Sequence, residues 1–76
     1  MKELLEIIAK SLVDKPGAVS VNETEREGTT VLELKVAQED MGKVIGKQGR
    51  VVKAIRTVVK AAAVYEDKRV NVEIVQ

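Results

Sequence analysis

Val44-Ile45-Gly46-Lys47-Gln48-Gly49-Arg50-Val51-Val52-Lys53-Ala54-Ile55 decides how this 76-residue chain is read. Two glycines three apart, with a lysine between them, interrupt an apolar pattern that is helical on either side. Glycine carries no Cβ, so it reaches positive φ cheaply and lets a second backbone approach closely. The N–H groups opening the helix after Gly49 are expected to lack partners within that helix and to face outward, with the positive end of the helix dipole behind them. A loop built in this way brings a backbone close to a phosphate.

Charge supports the same reading. The totals, 13 Lys+Arg against 12 Asp+Glu, leave only +1. Between Met41 and Tyr65, however, stand Lys43, Lys47, Arg50, Lys53, Arg56 and Lys60 and no acidic residue, so that segment carries +6 while seven basic and twelve acidic residues elsewhere leave −5. A solvated helix face mixes both signs for i,i+4 pairing, and none is available inside this segment. Segregation of this kind creates a local positive field, and Lys and Arg contacts to phosphate dominate nucleic-acid affinity.

Composition narrows the classes. A chain this short buries only about 60% of its unfolded surface, so one modest core over residues 1–76 is expected. Tyr65 is the only aromatic residue. The core must therefore come from Val, Ile, Leu and Ala, and modules that stack bases on aromatic platforms are disfavoured. With no Cys there are no disulfides or thiolate metal sites, and with no His the commonest metal ligand and general base is missing. No apolar run reaches membrane-spanning length, and residues 2–15 mix Glu and Lys with Leu and Ile. A soluble, unprocessed cytoplasmic protein without membrane contact, metal or cofactor is expected.

The element order follows from periodicity. Leu4, Leu5, Ile7, Ile8 and Leu12 predict an amphipathic helix over residues 2–13, stopped by Pro16-Gly17. Two β-rich runs, 18–26 and 29–37, flank Glu27-Gly28 and predict a hairpin. A short helix over 40–45 precedes the glycine loop and a long one over 50–65 follows it. Val70, Val72 and Ile74, alternating with Asn71 and Glu73, predict a last strand. The fold class is α+β in the order αββααβ: the hairpin is antiparallel, and the two-helix crossover makes the second and third strands parallel. Three helices should pack on one face of a three-stranded mixed sheet.

The I-G-K-Q-G core followed by V-V-K-A-I, set in this order, resembles the type II, or bacterial, KH domain family, and within it the small stand-alone KhpA (YlqC-like) proteins. The resemblance spans the whole chain. It implies an RNA-binding protein, a post-transcriptional or RNA-chaperone-like regulator, that clamps the backbone of single-stranded RNA. Gly46 and Gly49 are then the clamp glycines, Lys47 and Gln48 the loop residues facing phosphate, and Ile45 and Val52 apolar supports. Arg50, Lys43 and Lys53 add charge, although Lys43 and Lys53 are equally compatible with plain solvation. A groove holding about four nucleotides implies weak affinity and low selectivity from one copy. The initiating Met and lack of a linker favour a stand-alone domain over one excised from a larger KH protein such as a ribosome-associated GTPase.

Other motifs fail. Gly46-Lys47-Gln48 lacks the upstream glycine and the Ser or Thr of a P-loop, and Gly42, Gly46 and Gly49 do not make a dinucleotide fingerprint. The carboxylate pairs Glu39-Asp40 and Glu66-Asp67 read as a helix start and a turn. No nucleophile and base can be assembled, so no catalytic residue is expected.

The rival reading is a KH-fold interaction or dimerisation module with little RNA binding of its own. At 100° per residue, Ala54, Tyr65, Val58, Val51, Ala62, Ile55, Val59, Val52 and Ala63 fill an arc of about 180° on the long helix, wider than the roughly 100° needed to cover one core. A surplus apolar rim around Val58, Ala62 and Tyr65 is the expected contact. The resemblance implies a homodimer, or pairing with a larger KH protein of the KhpB (Jag, EloR) kind.

Overall fold

The computed structural model describes residues 1–75. Its elements are α1 (Lys2–Leu12), β1 (Ser20–Arg26), β2 (Thr29–Lys35), α2 (Met41–Ile45), α3 (Arg50–Tyr65) and β3 (Arg69–Val75), in the order αββααβ. Three single 3₁₀ turns, Pro16–Ala18, Gln38–Asp40 and Lys47–Gly49, join them. These turns move several boundaries inward. Strand β1 starts at Ser20 rather than residue 18 because Val19 N–H bonds back to Pro16 C=O. Likewise α2 starts one residue later, since Asp40 N–H is taken by Ala37 C=O.

The hairpin closes through a tight two-residue turn, with Arg26 opposite Thr29 and both Glu27 (φ 51°) and Gly28 (φ 80°) at positive φ. Two positive φ values match the right-handed twist of the flanking strands. Strand β2 is central: β1 pairs with it antiparallel and β3 parallel, with Leu32 opposite Glu23 on one side and Val72 on the other. Its two faces differ. Leu32 and Leu34 join the cluster beneath the helices, while Val31 alternates to the other face, where its register partners are Thr24 and Asn71.

The core is aliphatic throughout, as a chain with one tyrosine requires. Leu5 and Ala9 of α1 meet Val21, Leu32 and Leu34 of the sheet, Val44 of α2, and Ile55, Val59 and Ala63 of α3. The i,i+4 spacing of Leu5 and Ala9 sets the buried face of α1. Ile7, counted above in the apolar stripe, lies 100° from Ile8 and is 64% exposed.

Candidate nucleic-acid interface

Five-residue α2 is far too short to be stable alone. Its entrance is held by Asp40, 1% exposed, whose carboxylate oxygens accept the backbone N–H groups of Asp14 (3.2 Å) and Lys15 (3.0 Å). The Lys43 ammonium stands 3.9 Å away and also pairs with Asp14, and Lys15 pairs with Glu39. A buried carboxylate needs such donors to offset its lost hydration. Hydrogen bonding to Asp14 raises the Lys43 pKa, and the Lys15 bond lowers that of Glu39. Both groups are largely exposed, so solvent screens these pairs.

Two expectations change here. The carboxylate at Asp40 does not cap its own helix but reaches the α1–β1 connection, more than twenty residues away in sequence. Lys43, expected to find no acidic partner, finds Asp14 from another element and Asp40 one turn behind it. Nothing in a linear pattern marks that pairing, because it depends on how α1 and α2 pack.

At the other end of α2 the chain turns sharply. Gly46 donates to Gly42 C=O (2.8 Å) and takes φ 76°, ψ 172°, a region that only glycine visits readily. A Cβ on Gly46 would lie 2.3 Å from Val51 Cγ2 and 2.8 Å from the Val51 backbone nitrogen. Val51 is thus the wall against which the loop is pressed, a role the sequence reading left unassigned. Gln48 (φ 58°) and Gly49 (φ 73°) continue in the left-handed region. Gly49 N–H is taken by Gly46 C=O and Arg50 N–H by Lys47 C=O, so the amides opening α3 are partly satisfied within the turn. Among the described residues no backbone acceptor is found for the Lys47 and Gln48 amides at the start of the turn, and helix geometry leaves those of Val51 and Val52 without an α-helical acceptor as well. The Lys47 and Gln48 side chains are exposed.

The flanks match this geometry. Ile45 is half buried against the core, Val52 buried, and Val44 before them fully buried, which fixes both stems of the loop. No side chain caps α3 and its first turn holds no acidic residue. Arg50 donates to the Gln48 amide oxygen at 3.3 Å. Among the described residues, Lys47, Arg50, Lys53 and Lys60 form no ion pair, whereas Arg56 donates through Nε to Val72 C=O of β3 at 3.1 Å. The loop thus sets Lys47 and Arg50 side by side, with Lys53 and Lys60 following along α3, and among the described residues none of the four is ion-paired.

The wide apolar arc of α3 divides. Val52, Ile55, Val59 and Ala63 are buried, while Val58 (49% exposed) and Tyr65 (93%) face out and Ala62 is half buried. Ile8 and Leu12 of α1 extend the exposed side, forming with Val51, Ala54, Ile55 and Val58 an open apolar hollow of about 310 Å³. The α1 half of this hollow is visible only once the two helices are packed. Among the described residues, no helix is long and apolar enough to cross a membrane.

Comparison with known proteins agrees with this geometry. The family model described as KhpA/KhpB, KH domain, matches residues 2–74. The RNA-binding protein KhpA of Clostridium perfringens is 72% identical over 75 residues, spanning 99% of this chain and 100% of that protein. The protein of the same name from Caldanaerobacter subterraneus is 64% identical with the same coverage, and that from Chlamydia trachomatis 46% identical over 100% of this chain and 97% of its own. Among solved structures, Aquifex aeolicus Era superimposes with a TM-score of 0.68 over 96% of this chain at 20% identity, a likeness of fold alone. This chain spans 28% of that one.

Proposed function

The chain belongs to the KhpA/KhpB KH-domain family, and from that premise we propose that it acts as one KH domain over residues 1–76 that grips the backbone of single-stranded RNA in the 46–49 loop. The observation that carries this reading is the pressed loop. Gly46 packs against Val51, and the Lys47 and Gln48 amides beside it have no backbone acceptor among the described residues, next to Lys47 and Arg50 side chains that form no ion pair there. Phosphate meets these amides and the Lys47 and Arg50 side chains, and Lys53 lies one turn further along α3. Bases lie over the aliphatic edge between α2, α3 and β3. Lys43 contributes least, since its ammonium is already engaged. The protein works in the cytoplasm as a binding module without chemistry of its own, a reading favoured by relatives named for RNA binding.

Replacing Lys47 and Gln48 together by Asp tests the clamp. Asp tolerates the left-handed backbone at position 48, so the fold should survive while two carboxylates repel phosphate. Loss of binding to a short single-stranded RNA in fluorescence polarisation, with an unchanged melting curve, is expected. A folded double variant that binds as the wild type does would overturn the assignment.

A second reading, self-association or pairing with a larger KH protein, is favoured by the exposed strip of Val58, Ala62 and Tyr65 and the hollow it borders. The strip runs away from the loop, so both activities can coexist. Val58→Glu should lower the sedimenting mass relative to wild type at matched concentration. Monomers for both proteins across a wide concentration range exclude it.

A further inference from the structure

Arg56 lies seven residues beyond Gly49 on α3, about 10 Å along the helix axis. That places it within the stretch of about four nucleotides that a clamp of this kind spans. Among the described residues it is the only cation of α3 whose guanidinium or ammonium is fastened to the sheet: Nε donates to the carbonyl of Val72, on the edge strand β3. Val72 itself is buried, so the carbonyl that holds the guanidinium belongs to a residue fixed in the core. Of its five N–H donors one is used, and the remaining pair of nitrogens has no ion-pair partner among the described residues, the exposed Glu73 next along β3 included. Lys53 and Lys60, a turn to either side, are point charges that suit phosphate; a pinned planar fork suits two acceptors side by side.

We propose that Arg56 reads a base. Held through Nε by Val72, its terminal nitrogens present a fixed pair of donors to a base edge carrying two adjacent acceptors, so guanine (O6 and N7) or cytosine (O2 and N3) is favoured over adenine or uracil at that nucleotide. Adenine sets a donor beside an acceptor on both its exposed edges, and the Watson–Crick edge of uracil separates its two oxygens with an N–H, so neither offers the matching pair. Pinning lowers the rotamer entropy lost on contact, which turns a surface arginine into a selective one. This inference rests on the single-stranded RNA reading and adds a sequence preference to it.

Fluorescence polarisation with octauridine and with octamers carrying one internal guanosine, cytidine or adenosine tests it. The uniform host lets the protein slide until the variable base sits at Arg56. The guanosine and cytidine octamers should bind wild type roughly tenfold tighter than the other two, the discrimination of one bidentate contact. Arg56→Lys keeps the charge but not the fork, so it should bind all four alike with an unchanged salt slope; Arg56→Gln, folded by circular dichroism, should likewise lose the preference. Equal binding of all four by wild type, with normal salt dependence, overturns base reading and leaves the clamp standing. Failure to bind any octamer overturns both, and an Arg56→Lys protein that keeps the wild-type preference overturns the assignment to Arg56.

Discussion

At the entrance of α2 a buried carboxylate takes two backbone N–H groups and attracts an ammonium, whereas at its exit, five residues later, the chain breaks over Gly46 and leaves exposed cations facing solvent. The entrance is closed on itself: Lys15 pairs with Glu39, and Lys43 with Asp14 and Asp40. The exit is open: among the described residues neither Lys47 nor Arg50 is ion-paired with an acidic side chain. Satisfied polar groups stabilise the fold, and unsatisfied ones are available to a ligand. The same five-residue helix therefore separates a paired charge cluster from an unpaired one, the one proposed to bind.

Gly46→Ala should break this contrast most severely, because it strikes fold and binding together. The new Cβ meets Val51 at 2.3 Å on a backbone that disfavours any side chain, and a cost of about 3 kcal/mol is expected. Urea unfolding followed by circular dichroism, together with RNA titration, should show both losses; a stable variant that binds RNA would mean that Val51 does not constrain the loop.

Asp40→Ala should separate the two ends. It orphans the Asp14 and Lys15 amides and should lower stability by about 2 kcal/mol, with Asp40→Asn costing less because one acceptor oxygen remains. RNA affinity, measured where the variant is folded, should hold. A fall in affinity as large as that of the Lys47, Gln48 double variant would show that the entrance contributes directly to binding.

The smallest effect sharpens the comparison between two lysines four residues apart. Lys47→Met should reduce the slope of log affinity against log salt by about 0.7, one phosphate contact on a single strand, while Lys43→Met should leave it unchanged. An equal reduction for both would place Lys43 on the RNA. The Lys43 pair with Asp14 also has a defined pH sign. Its raised pKa means that the small stabilisation is present in full at neutral pH, below the ordinary lysine value of 10.5, and is lost only as pH climbs past it, so Lys43→Met should melt slightly below wild type at neutral pH and the gap should close above 10.5.

Much of this was legible in the chain because it depends on neighbours in sequence. Gly46 and Gly49 mark a break between two apolar repeats, Glu27-Gly28 a two-residue hairpin, and the alternation of Val70, Val72 and Ile74 a strand, each a consequence of local backbone geometry or of period. The parallel pairing of β2 with β3 follows as well, since two intervening helices leave the chain little other way back. The exclusion of stacking platforms required only the count of aromatics.

Packing decided the rest. Which of the +6 charges on residues 41–65 are free was not legible, because Asp14 meets Lys43 across 29 positions and Val72 meets Arg56 across 16. Which half of the α3 arc is exposed depends on where α1 lies, since Ala54 and Ala63 are identical in composition and opposite in burial. The reason is physical: periodicity and turn chemistry act over four or five residues, so sequence determines the elements, their order and the glycine loop between α2 and α3. Charge pairing and burial depend on distances in space, and only the tertiary structure brings Asp40 to the α1–β1 connection and Ile8 and Leu12 beside Val58.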